Sequence, residues 1–272
     1  IECIRARHTG ALLLPYTNVP ELWSLDPTSG RATLLANFTS AESLPRGVAP
    51  FAGFTGLAEV APDLFAVLSG NFSTTAFTLG NGSWGVWTFD FGGRDKPVAK
   101  FVRQVAASQF FLGAARYDAR SILIADGGQG LLYRLDVLTG RYSVVSADAS
   151  MGRSGGLAGI HGVRYAAPYV YYTNTFGGGF WRMRLDPATG LPAPAAGPPV
   201  LLAPLQPGDR PEEFATWRDG SVYVAIQAGG VERVAAGSNV STPFVNVERP
   251  TTVVFGRMPG DADVLYIATG SG

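Results

Sequence analysis

The sequence is poor in cysteine, histidine and asparagine, and neither sign of charge prevails. Its single cysteine, Cys3, excludes any disulfide within the chain, leaving a partner beyond its ends or a buried free thiol. The 21 basic residues balance 21 acidic ones, so no electrostatic footprint for nucleic acid or an anionic membrane exists. No apolar run approaches the roughly 18–20 residues that span a bilayer. With only two histidines, His8 and His161, and no nucleophile-elbow spacing around Ser154, the chain offers no Ser-His-acid arrangement. The glycine runs 127–128 and 177–179 fall between strand patterns and not before a helix, which makes them turns and not phosphate loops.

What is abundant points to β structure. Hydrophobic residues make up 46% of the 272 positions and charged ones only 15%, enough apolar material for one sizeable core. Glycine (35) and proline (19) are spread along the whole length, as many turns require. Of the seven asparagines, Asn37, Asn71, Asn81 and Asn239 begin N-x-S/T sequons, a concentration that predicts an N-glycosylated protein of the secretory pathway. The chain opens on Ile1 with no apolar leader, which accords with a processed or trimmed N-terminus.

One pattern recurs six times. Apolar runs ending in small or polar residues occupy Ala11–Asn18, Leu64–Asn71, Ser121–Gly128, Tyr169–Phe176, Ser221–Ala228 and Val264–Ser271. Their β-branched and aromatic content predicts strands covered on both faces. A shorter strand and a polar turn precede each, as Gly56–Val60 and Phe214–Trp217 show. Four third strands share an aromatic residue and an apolar-Asp ending: Trp23–Asp26, Trp87–Asp90, Tyr133–Asp136 and Trp181–Asp186. Turns closing on Gly30, Gly140 and Gly190 then lead to fourth strands such as Ala32–Ala36 and Tyr142–Val145. Four antiparallel strands repeating about every 45–50 residues predict a single all-β, six-bladed propeller. Its blades cover roughly 1–38, 54–105, 110–148, 159–204, 212–247 and 251–272, the last incomplete by about two strands.

Strands alternate in direction within a blade, so the start of the first and the end of the second share a face. That face is expected to gather Glu2, Gly56, Gly113, His161, Glu212 and Thr252 about the central channel. The surrounding loops contribute Tyr16, Asn18, Phe72, Phe111, Asp126, Asn174, Phe176 and Gln227, with Phe214 nearby. A ligand pocket at this mouth is the default reading, its aromatic lining suited to a flat hydrophobic ligand.

The chain resembles the gluconolactonase and senescence-marker-like six-bladed propellers, most closely their secreted fungal branch. The likeness is carried by Gly56–Val67, Leu123–Asp126 with Tyr133–Asp136, Tyr171–Thr175 and Val264–Thr269. It implies a fold more than an activity. Lactonase members hold a divalent cation with a Glu, an Asn and an Asp, plus a further Asn. By that resemblance Glu2 keeps the Glu position, His161 and Glu212 replace the next two, and Gly113 stands for the last. Two carboxylates and an imidazole suit Zn²⁺ or Mn²⁺.

Some relatives in the fungal branch are hetero-Diels–Alderases joining a tropolone-derived o-quinone methide to a terpene alkene. The resemblance therefore implies a cofactor-free pericyclase. In it, His161 or Tyr16 hydrogen-bonds the quinone methide carbonyl and Glu212 orients His161. Phe72, Phe111, Phe176, Phe214, Asn174, Gln227, Asp126 and Thr252 would form the substrate pocket. The alternatives are a metal-dependent lactonase or esterase using Glu2, His161 and Glu212, and a non-catalytic secreted binding propeller. The expected partners are hydrophobic small molecules, with no nucleic acid and no membrane insertion, on a monomer or weak dimer.

Overall fold

A computed structural model describes residues 1–73, 78–205 and 208–270. Ser271 and Gly272, the end of the sixth predicted repeat, lie outside them. The fold is an all-β propeller of antiparallel sheets, with helix limited to three short 3₁₀ turns among the described residues. Five blades have four strands each, every strand pairing with its sequence neighbour in that blade. The first blade comprises Arg5–Ala6, Leu12–Pro15, Glu21–Leu25 and Ala32–Asn37; the third, Phe111–Arg116, Ser121–Asp126, Leu131–Asp136 and Tyr142–Ser146. In the second, a small hairpin, Phe72–Ser73 with Thr78–Leu79, interrupts the passage from Leu64–Gly70 to Gly85–Asp90. The inner strands of the fourth and fifth blades are Ile160–Ala166 and Pro211–Thr216.

Where the sequence predicts a sixth blade, the structure pairs only Pro250–Phe255 with Leu265–Thr269, so five blades are complete and not six. This two-stranded sheet sits between the fifth and first blades, and the six innermost strands contact one another in a closed ring. The Thr251 hydroxyl donates to the Ile1 carbonyl, and the Arg257 guanidinium to that of Ala6, across the closure.

The core lies between blades. Trp87, fully buried, packs on Phe38 at 4.5 Å and on Phe101 at 5.1 Å, joining the segment just after the first blade's outer strand to the second blade. Each such ring removed from water contributes about 1.5–3 kcal/mol.

Close approach of neighbouring inner strands depends on a repeated irregularity. Thr55–Gly56 face Leu68 alone, Leu112–Gly113 face Ala125, His161–Gly162 face Thr173, and Glu212–Glu213 face Ala225. Each is a two-for-one β-bulge, which bends the strand and re-aims its side chains. The second bulge residue is glycine in three blades because the next blade's bulge abuts it. A Cβ on Gly56 would sit 2.0 Å from the Leu112 carbonyl oxygen, and one on Gly113 2.3 Å from that of His161. The bulges also revise the expected ring: Thr55 and Leu112, not Gly56 and Gly113, are level with His161, and Gly56 and Gly113 are level with Gly162.

Candidate functional site

Bulges place the chemistry. In a regular strand Glu212 and Glu213 would face opposite sides of the sheet. Here both carboxylates are buried, at 4% and 1% exposure. Glu213 takes the place that is glycine in three other blades, and its Oε1 lies 2.7 Å from where a Cβ on Gly113 would stand. Its Oε2 is paired with Arg164 at 2.7 Å and Arg5 at 3.3 Å. These two cations outweigh the cost of burial and hold Glu213 below the usual carboxylate range.

Glu212 has no such partner. Its Oε2 is buried without a hydrogen bond among the described residues and lies 3.8 Å from His161 Nε2. Together with Glu2 they form a cluster whose potential ligand atoms all lie within 4.8 Å of one another. Burial, then the charges of Glu2 and Glu213, push the Glu212 carboxyl well up. Burial likewise raises Glu2, with Glu213 adding to the effect. Burial lowers His161 to about 4, so its imidazole is neutral near pH 7.

Hydrogen bonding fixes the imidazole. The Thr175 hydroxyl donates its one proton to the Pro211 carbonyl at 3.1 Å, so at 2.9 Å it accepts from His161 Nδ1–H. Nε2 is therefore an unprotonated acceptor facing Glu212. At 3.8 Å Glu212 does not hold the ring; Thr175 does, in the orienting role expected of Glu212. Three potential acceptors thus converge, His161 and Glu212 buried and Glu2 half-buried, and Glu212 Oε2 receives no hydrogen bond among the described residues. Such a set is stable only if a carboxyl keeps its proton or a cation sits among the groups. Two carboxylates and a neutral imidazole suit a divalent transition ion, so the residues fit one.

The other predicted residues divide into two groups. Tyr16, 36% exposed, shares an 800 Å³ cavity with Glu2. Leu12, Leu14, Leu25 and Ile267 give that cavity apolar walls, and Arg249 adds a cation. Phe72 is half-buried against Phe110 at 4.8 Å, and Phe176 covers Gly156 beneath the Arg210 guanidinium. The Gln227 amide oxygen accepts from Arg210. Thr252 is fully buried, its hydroxyl unpartnered among the described residues.

The remainder sit within the protein. Phe111 and Phe214 are fully buried between blades, Phe214 against Phe180 at 5.0 Å. Asp126, fully buried, accepts from the amides of Gln109, Phe110, Gly128 and Gln129, ordering two loops. Asn174 ties down the segment before its blade by donating to the Ser150 and Gly152 carbonyls. Sequence reasoning did not single out Thr175, Arg5, Arg164 or Glu213. The signal for Glu213 was the doubled acid at the start of an inner strand.

No protein-family model matches the chain. It is 24% identical over 250 residues to a Sarocladium schorii protein provisionally assigned as a hetero-Diels–Alderase. That match covers 78% of this chain and 62% of the relative, so the chain spans less than two thirds of the relative's length. Among solved structures, it superposes on the calcium-binding protein regucalcin of Agrobacterium tumefaciens with TM-score 0.63 and 16% identity, covering 94% of this chain and 77% of that one. With the major allergen Mala s 1 of Malassezia sympodialis the TM-score is 0.71 at 12% identity, covering 98% and 86%. These two likenesses establish the propeller fold.

Proposed function

We propose that the protein is an enzyme that polarises a carbonyl oxygen of an apolar substrate at the Glu2–His161–Glu212 mouth, as a hetero-Diels–Alderase does. The observation that carries this reading is the convergence of buried His161 and Glu212 with half-buried Glu2, which also lines a cavity with apolar walls and the Arg249 guanidinium. With no cation present, Glu212 retains its proton and donates it as a hydrogen bond to the carbonyl of an o-quinone methide. His161, an acceptor at Nε2, is then not the donor; burial and the charges of Glu2 and Glu213 favour the protonated state of Glu212. As the alkene adds, one C–C and one C–O bond form in a single cycle, and the carbonyl oxygen becomes the ring ether. No proton or electron is transferred overall. Charge gathering on that oxygen strengthens the hydrogen bond in the transition state, and the cavity walls hold both reactants in near-attack geometry. The Sarocladium relative supports the reaction class. The two-stranded sheet is read as the inner half of a sixth blade.

The same three residues favour a second reading, a metal-dependent lactonase. Glu2, Glu212 and His161 Nε2 would hold the ion, which when bound would act as a Lewis acid on a lactone carbonyl.

One variant pair separates the readings, assayed with a generated o-quinone methide and a terpene alkene. Under the first reading Glu212→Leu loses about 10²–10³-fold in rate, as removal of an oxyanion donor does. Glu212→Gln, which keeps an N–H donor, loses less, and a chelator changes nothing. Stoichiometric metal in protein purified without added ions, with activity lost equally in both variants and on chelation, overturns the cofactor-free reading. Unchanged rate and product ratio with wild-type enzyme overturn the pericyclase altogether.

A further inference from the structure

The channel has a second mouth, formed by the opposite ends of the inner strands. On the fourth blade's inner strand His161 lies at the start, while Arg164 and Tyr165 lie three and four residues further on. A cavity of about 600 Å³ opens at that far end, within the size range of small-molecule sites. Tyr165, Tyr171, Val254 and Phe255 supply apolar and aromatic wall. Three guanidiniums line it as well: Arg5, Arg164 and Arg257.

Their charges do not cancel. Arg5 and Arg164 share the single carboxylate of Glu213, and Arg257 is paired with Glu59. Three cations against two anions leave one positive charge in excess. Glu213 lies beneath the cavity, 1% exposed at its side chain, whereas Arg164 is 24% exposed. The uncompensated charge therefore faces the cavity. Burial and the like charge of Arg5 hold Arg164 below the usual guanidinium range, a cost that one further anion would relieve.

We infer that this far mouth is a second ligand site, selective for a monoanion with a flat apolar body, such as an aromatic carboxylate. Guanidiniums bind carboxylates through charge-assisted hydrogen bonds, while aromatic walls take the ring. The site is separate from the Glu2–His161–Glu212 mouth, and its occupancy does not depend on the reaction proposed there.

The test is calorimetric titration of the whole protein with 2-naphthoate and, in parallel, the uncharged 2-naphthylmethanol. The acid is expected to bind at least about tenfold more tightly, the effect of one charge-assisted contact. Arg164→Met leaves Arg5 balanced by Glu213 and should bring the acid down to the alcohol's affinity. Thr216→Trp, on the exposed rim, should block both probes without touching a guanidinium. Melting curves confirm that each variant is folded. Equal affinity for acid and alcohol, no naphthoate binding, or binding that survives Thr216→Trp overturns the proposal. Naphthoate binding lost in Glu212→Leu but kept in Thr216→Trp also overturns it, by placing the probe at the other mouth.

Discussion

Asp63 shows how much one buried charge can set. It turns the chain between the first two strands of the second blade with a left-handed φ of 59°, a conformation Asp and Asn tolerate better than most residues. Its carboxylate accepts from Arg7 Nε at 3.0 Å and Nη2 at 2.8 Å, and both side chains are buried. Burial alone would raise its pKa, but the Arg7 hydrogen bonds and charge outweigh that and hold it below its ordinary value of 3.8. The sign follows from linkage. A depressed acid contributes stability above its unfolded pKa, and that contribution is lost as pH falls through the lower folded value. Asp63→Asn, which can keep the backbone conformation, is expected to cost about 3–5 kcal/mol at pH 7 by leaving Arg7 buried without its counter-ion. The gap between the denaturant titrations of variant and wild type should narrow as pH drops below 3.8. A gap that stays constant with pH would show that the pair adds no charge-dependent stability.

At the scale of the element, the sequence revealed strands but not bulges. Near-continuous apolar runs and β-branched content located all six second strands. The Asp-initiated turns located the third-to-fourth strand connections of three blades, because those signals are local. Bulges leave no such signature, since they are set by the neighbouring strand's carbonyl pressing on the second bulge residue. Gly56 and Gly113 were therefore placed one residue out of level. For the same reason Glu213 was missed, although Glu2, His161 and Glu212, chosen from resemblance and strand direction, do converge. Thr175 was also out of reach. It meets His161 across a bulge, and nothing in the spacing of 161 and 175 shows which hydroxyl closes the contact.

Phe111 tests the boundary between pocket and core. Proposed from sequence as pocket wall, it is fully buried between Trp84 and Tyr133, at 6.2 and 6.0 Å, and its carbonyl accepts from the Thr55 hydroxyl of the neighbouring blade. Phe111→Ala should cost about 3–5 kcal/mol of stability, while the folded fraction keeps its turnover and product ratio. An altered product ratio with unchanged melting temperature would return Phe111 to the pocket.

At the scale of the whole molecule, inter-blade packing and ring closure consume the apolar residues and leave outer strands and connecting loops to solvent, where glycans would sit if the protein passes through the secretory pathway. We read the four sequons in that light, and the surface divides them. Asn37, Asn81 and Asn239 are exposed. Asn71 is half-buried: its side-chain oxygen accepts from the Ala52 amide at 2.8 Å, and its Cβ lies 2.5 Å from where a Cβ on Gly80 would stand. A glycan joined to Nδ2 of Asn71 would have to grow out of this half-buried, hydrogen-bonded position, whereas at exposed Asn37 it would meet only the surface Nδ2–Glu21 hydrogen bond of 2.8 Å. Enzymatic deglycosylation in ¹⁸O-water, followed by peptide mass spectrometry of protein from a secreting host, should mark Asn37, Asn81 and Asn239 and spare Asn71. Label at Asn71 would mean that its loop opens before the blade closes on it. Absence of label at all four would remove the basis for placing the protein in the secretory pathway.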